Sequence, residues 1–221
     1  MTDFNKVLNQ LLQNGAASSF AGGLAGGLAG SMLSGKSGRK LGKKALKLGG
    51  MAAIAALAYT AYKKYSGGGA ALPSSGDSQQ PLLYAPEGSS FMPPPGNASA
   101  RADLSQTLVR AMIAAARADK KLDSEESQAI FGRIESLDVS PEEKSALIEE
   151  MNHPVDMDGI VRAATSPEVA AEIYTASLLA IDVDHPAESS YLSMLAARLK
   201  LPRELVEELH RQVEGQQEAS F

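Results

Sequence analysis

Charge is segregated along this 221-residue chain, and the segregation constrains its architecture more than any average does. Residues 1–69 carry nine Lys/Arg against the single acid Asp3, a net of +8. Residues 101–221 carry twelve bases against twenty-three acids, a net of −11. The two longest uncharged stretches are the twenty-nine residues between Lys6 and Lys36 and the fifteen from Leu48 to Tyr62. Eleven of the twenty glycines fall in the first fifty residues, and six of the eleven prolines between 73 and 95. The sequence therefore divides into four parts: a glycine-rich segment 1–35, a basic loop with an Ala-rich helix 36–65, a Gly/Pro/Ser linker 66–100, and an acidic domain 101–221.

The first part opens with Phe4, Leu8 and Leu11/Leu12 at the spacing of an amphipathic helix. Gly22, Gly26 and Gly30 then recur every fourth residue, as do Gly23 and Gly27. On a helix they form a smooth stripe of the small-xxx-small kind, which predicts self-association into a homo-oligomer. In water each glycine costs about 1 kcal/mol relative to Ala, so a disordered Gly/Ala segment in a soluble protein is the competing reading.

Residues 36–47 hold six bases and lead into the apolar run. Counted from Ala45 to Tyr62, with Lys47 extending its amine outward, that run makes about 27 Å of helix, close to a hydrocarbon thickness of about 30 Å. Tyr59, Tyr62 and Tyr65 sit beside Lys63 and Lys64, as in an interfacial belt. The pattern predicts a membrane-tethered protein with one transmembrane helix, or a hairpin that also uses residues 16–33. The basic loop then lies in the cytoplasm, and the positive-inside rule favours a periplasmic carboxy-terminal domain. The linker 66–100 is too poor in apolar residues to offset its ordering entropy, and Leu82-Leu83-Tyr84 and Phe91-Met92 are its only adhesive spots.

From about residue 103 the pattern is helical throughout, and the fold class is all-α: membrane-associated amino-terminal helices plus a compact bundle of about seven. Ser140-Pro141-Glu142-Glu143 reads as a capping box with proline at the first helical position. Ser166-Pro167 opens a helix through Ile181 whose only charges are Glu168 and Glu172, the buried central helix of the set.

Acids gather at two helix junctions. Asp119, Asp123 and Glu126 lie at the first; Asp182, Asp184 and Glu188 lie at the second. These are hard-oxygen ligands for Ca²⁺ or Mg²⁺. They are equally the helix caps and first-turn acids that the helix dipole favours, and both readings stay open here. Neither junction has the EF-hand glycine and terminal Glu.

Other chemistry finds little support. Gly30-Ser31-Met32-Leu33-Ser34-Gly35-Lys36-Ser37 matches the P-loop letters but lacks a strand before it, and a basic run follows where a helix is needed. The basic run has no interleaved aromatics, so anionic lipid explains it better than nucleic acid. Zero cysteines exclude thiolate zinc and a Cys nucleophile. His153, His185 and His210 are scattered, and no Ser sits in a Gly-x-Ser-x-Gly elbow. No enzyme is expected.

The order of parts, with the Gly-Lys-Ser-Gly-Arg-Lys-Leu run, resembles the YebE family of bacterial inner-membrane proteins. Within the acidic domain, Ala115-Ala116-Arg117-Ala118-Asp119-Lys120-Lys121-Leu122-Asp123-Ser124-Glu125-Glu126 and Tyr191-Leu192-Ser193-Met194-Leu195-Ala196-Ala197-Arg198-Leu199 resemble the tellurite-resistance TerB-like fold. The resemblance implies an all-helical bundle tied to stress or metal response. It implies metal ligation at Asp119, Asp123 and Glu126, although Lys120 stands where the TerB-like pattern has Gly. The expectation is thus an envelope-associated, non-enzymatic protein whose acidic domain binds a protein partner or divalent cations. The alternative is a pure interaction scaffold without a metal site.

Overall fold

The computed structural model describes residues 3–13, 50–67, 83–118, 134, 137–181 and 186–218. Among them are eight helices: α1 (Phe4–Gln13), α2 (Gly50–Ser66), α3 (Ala98–Ala116), α4 (Pro141–Asn152), α5 (Met157–Ala163), α6 (Pro167–Leu179), α7 (Pro186–Arg198) and α8 (Arg203–Glu218). The described residues form no strand, only an isolated bridge between Ser89 and Met92.

Local chemistry sets the helix starts. Ser140 accepts from the Glu143 amide while the Glu143 carboxylate accepts from the Ser140 amide, the capping box read from the sequence. Ser166 caps α6 by accepting from Val169, with Pro167 next. Asn97 and Asp156 cap α3 and α5 in the same way. Helix α7 ends differently. Lys200 adopts φ 55°, the Leu201 amide donates to Ala196 and the Lys200 amide to Ala197, a Schellman motif with lysine at the position glycine favours.

The core runs through the whole bundle. Helix α6 is buried from Ala170 to Leu178 and packs against α2, α3, α5, α7 and α8. Helix α1 forms where the spacing of Phe4, Leu8 and Leu11 predicted an amphipathic helix, but it lays that face, with Val7, onto α2 and α3. Ser105 of α3 joins the three by donating to Asn5 of α1 and approaching the Met51 sulfur of α2 at 3.5 Å.

Helix α2 overturns the membrane reading. No helix of the described residues is long and apolar enough to cross a membrane. The helix has 17 residues, about 25 Å, and its apolar side chains meet protein. Ile54, Ala55, Ala58 and Ala61 are fully buried, and α2 packs on α1, α6 and α8. The alanines that make it a poor bilayer helix let neighbouring helices approach closely. At its start, a Cβ on Gly50 would meet the Leu8 carbonyl oxygen at 2.6 Å, so only glycine fits this crossing. At its end, Lys64 pairs with Glu208 of α8 at 3.3 Å. The expected inner-membrane location, and the cytoplasmic and periplasmic sides drawn from it, therefore lose the helix they rested on. Residues 16–33, the other arm of the hairpin, and the stripe Gly22, Gly26 and Gly30 lie outside the described residues.

Tyr59 and Tyr62, expected at a lipid interface, instead stack edge-on against Phe91 at centroid distances of 5.5 and 5.6 Å. Residues 83–97, placed by composition in the linker, thus lie along α2 and α3. The Leu83 amide donates to Thr60 Oγ1 and Arg101 Nε to the Pro93 carbonyl, while Phe91 and Met92 are buried. Gly88, at φ 76°, supplies the left-handed position of the Pro86–Ser89 turn that makes this return.

Candidate functional site

Where α3 passes α4 and α5, the helices leave a cleft of about 260 Å³. Its floor is apolar: Ile113 and Ala114 from α3, and Ile160 and Ala163 from α5. Arg110 of α3 and Arg117, the residue that caps its end, also line the cleft, about two turns apart. The first donates from Nε to Glu150 at 2.7 Å, and the second from a terminal nitrogen to the His153 carbonyl at 2.7 Å. The α4–α5 connection forms the rim. Pro154 ends α4, His153 Nδ1 lies 2.8 Å from the Glu149 carbonyl, and Val155 is exposed. Asp156 is held by the Gly159 amide and by Arg162 at 3.6 Å. An apolar floor bounded by charged, partly committed groups suits an apolar side chain flanked by polar contacts.

A second, wider groove lies between the end of α7 and α8, lined by Leu201, Val206, His210, Arg203, Arg211 and Glu214 among others. At its base His210 Nε2 is 2.9 Å from the Tyr174 hydroxyl. Burial lowers the pKa of His210, partly opposed by Glu214, and raises that of Tyr174 to about 12. Near the outer end of α5, Asp158 pairs with Arg198 of α7, and that hydrogen bond and charge hold its carboxyl below its usual range.

The predicted metal ligands meet this geometry at one point. Asp119, Asp123, Glu126, Asp182 and Asp184 lie outside the described residues. Glu188 lies in the first turn of α7 and is buried. Among the described residues no three His, Cys, Asp or Glu side chains converge as a metal site would require.

Two buried carboxylates were not singled out from the sequence. Glu208 of α8 is buried and accepts from Lys64, Arg211 and Gln212. Its heptad-like neighbours Leu205, Leu209 and Val213 mark the buried face, and Glu208 borders it; that adjacency was the available signal. Glu172 is buried at the centre of α6, and among the described residues no hydrogen bond reaches either carboxylate oxygen. Its signal was a Glu between Ala170-Ala171 and Ile173-Tyr174 in an otherwise apolar run.

An uncharacterised protein in the ampR 5′ region of Yersinia enterocolitica is 29% identical over 100 residues, spanning 45% of this chain and 72% of the relative. No solved structure matches the chain. The family described as Protein of unknown function (DUF533) matches residues 18–213, from the glycine-rich segment to the last turns of α8. The chain belongs to that family.

Proposed function

We propose that the protein is a non-enzymatic interaction scaffold, and that the cleft between α3, α4 and α5 is where it receives a protein partner. The cleft carries this reading: an apolar floor, with Arg110 and Arg117 in its lining, beside the exposed Val155. Polar side chains elsewhere support it by joining helix to helix. Lys64 meets Glu208, Arg198 meets Asp158, and Tyr174 meets His210. Groups spent on bridging helices are not gathered around a reacting centre.

The test is site-specific photo-crosslinking in the full chain, with the crosslinker at position 155 and a control at Met194 on α7. The reading expects a defined protein adduct at 155 and none at 194. Reconstituted with the identified protein, Val155→Glu should cut affinity about tenfold or more without lowering the melting temperature. An adduct pattern equal at both positions, or affinity unmoved by Val155→Glu, sinks it.

The finer likeness to the YebE family and to TerB-like domains concerns this same bundle and supports a role in stress response. It also brings the cation reading of Asp119, Asp123 and Glu126. Calorimetric titration of the full chain with Ca²⁺ and Mg²⁺ decides that point: heat lost in Asp119→Asn with Asp123→Asn supports it, and flat traces reduce the acids to caps.

A further inference from the structure

The centre of α6 holds a carboxyl for which the bundle provides no hydrogen bond. Glu172 is 0% exposed, and among the described residues neither Oε1 nor Oε2 has a partner. The other polar groups of the helix are satisfied. Thr175 donates to the Ala171 carbonyl at 2.7 Å, Ser177 to Ile173 at 3.0 Å, and Tyr174 meets His210. An ionised carboxylate with no donor in a low-dielectric core is far costlier than a neutral one.

Among the described residues, the helices packed on α6 supply no compensating charge. On α2, Lys63 lies over the Tyr59 ring and Lys64 pairs with Glu208. On α3, Arg101 reaches Pro93, Arg110 reaches Glu150, and Arg117 beyond its last turn reaches His153; Asp103 is exposed. On α5 and α7, Arg162 holds Asp156 and Arg198 holds Asp158, while Glu188 and Tyr191 are buried. On α8, Arg203 and Arg211 hold Glu207 and Glu208, His210 holds Tyr174, and Glu204 and Glu214 are exposed. Every cation on these helices is engaged with another group.

We propose that Glu172 is a protonation lock on the closed bundle: neutral, it lets α6 sit sealed among its neighbours, and ionised, it draws in water and loosens them. This regulation of the fold goes beyond the interaction reading and stands or falls without it. Burial, with a smaller contribution from Glu168 one turn earlier, lifts the Glu172 pKa well above 4.5. The folded value therefore exceeds the unfolded one. Stability is complete below about pH 4.5 and is lost as pH rises through the folded pKa. His210 acts with the opposite sign, on the acid side, because its folded pKa is lowered. Tyr174 and Tyr191, both raised to about 12 by burial, stay neutral through the range of interest.

The experiment uses the full chain with ¹³C-labelled Glu carboxyls, followed by NMR, and amide hydrogen exchange of α6 from pH 5 to 9 corrected for intrinsic rates. The lock predicts a Glu172 midpoint well above 4.5. It also predicts that α6 protection falls about tenfold or more across the range, and that Glu172→Gln flattens the fall. A Glu172 midpoint in the ordinary carboxylate range overturns it, and so does an unchanged fall in Glu172→Gln. Should Glu172→Gln not fold, Glu172→Leu takes its place in the exchange comparison, and the wild-type titration decides by itself.

Discussion

Lys64 Nζ lies 3.3 Å from Glu208 Oε1, joining the last turn of α2 to the middle of α8, with the lysine side chain 30% exposed and the carboxylate 5%. The unequal burial makes the two ends of the bridge unequal in consequence. Glu208→Ala leaves Lys64, Arg211 and Gln212 without their shared acceptor and should cost about 2 kcal/mol or more. Lys64→Ala leaves Glu208 still bound by Arg211 and Gln212 and should cost less than about 1 kcal/mol. Urea denaturation of the two variants checks the order; equal losses would contradict it.

The crossing of α1 and α2 depends on one missing methyl group. The atom nearest a Cβ at Gly50 is backbone, which cannot swing aside. Gly50→Ala should therefore destabilise by about 1–3 kcal/mol despite the better helix propensity of alanine. The loss should appear first as faster amide exchange in α1.

At the end of α7 the expected change has the other sign. Lys200 holds a left-handed conformation that glycine adopts without penalty. Lys200→Gly should leave stability unchanged or raise it by up to about 1 kcal/mol, the relief at φ 55° offsetting the extra freedom of the unfolded chain. A melting temperature several degrees lower would show that the Lys200 side chain does something its backbone does not reveal.

On the acid side, His210 should dominate. Its folded pKa lies below the unfolded value, so the stability it confers is complete above about pH 6.5 and is lost as pH falls through the folded pKa. Replacing it by Gln, which keeps a polar group beside Tyr174, should reduce the drop in melting temperature between pH 7 and pH 5. An identical drop in both proteins would assign it to other groups.

Much of this fold was legible locally. The α1 stripe, the Ser140 capping box and the Ser166-Pro167 start are set by chemistry within one or two turns, and they appear where the sequence puts them. What misled was context. Fifteen uncharged residues ended by lysines look the same whether lipid or protein surrounds them. The deciding partners of α2 are Leu8 on one side and Glu208 on the other, each far away in sequence. Phe91 and Met92 likewise looked like loose contacts in a linker, because the rings of Tyr59 and Tyr62 that receive Phe91 are about thirty residues earlier. For Glu172, a position six residues into an apolar helix resembles ordinary dipole decoration until the surrounding helices close over it. The candidate cleft was not foreseen, since it is made by α3, α4 and α5 together and belongs to none of their patterns.

The bridge between α2 and α8 also sets a timetable for synthesis. Lys64 and Glu208 are 144 positions apart. At about 5–20 residues per second, roughly 7 to 30 s separate their appearance at the ribosome. For most of that interval the newborn α2 has neither α6 nor α8 to lie against, and until its end no α8, so its alanine-rich face is open to whatever is nearby. A nascent chain stalled before α6 should therefore be held by chaperones or aggregate, and a stop codon ahead of α8 should expose again the very helix that the finished molecule keeps inside.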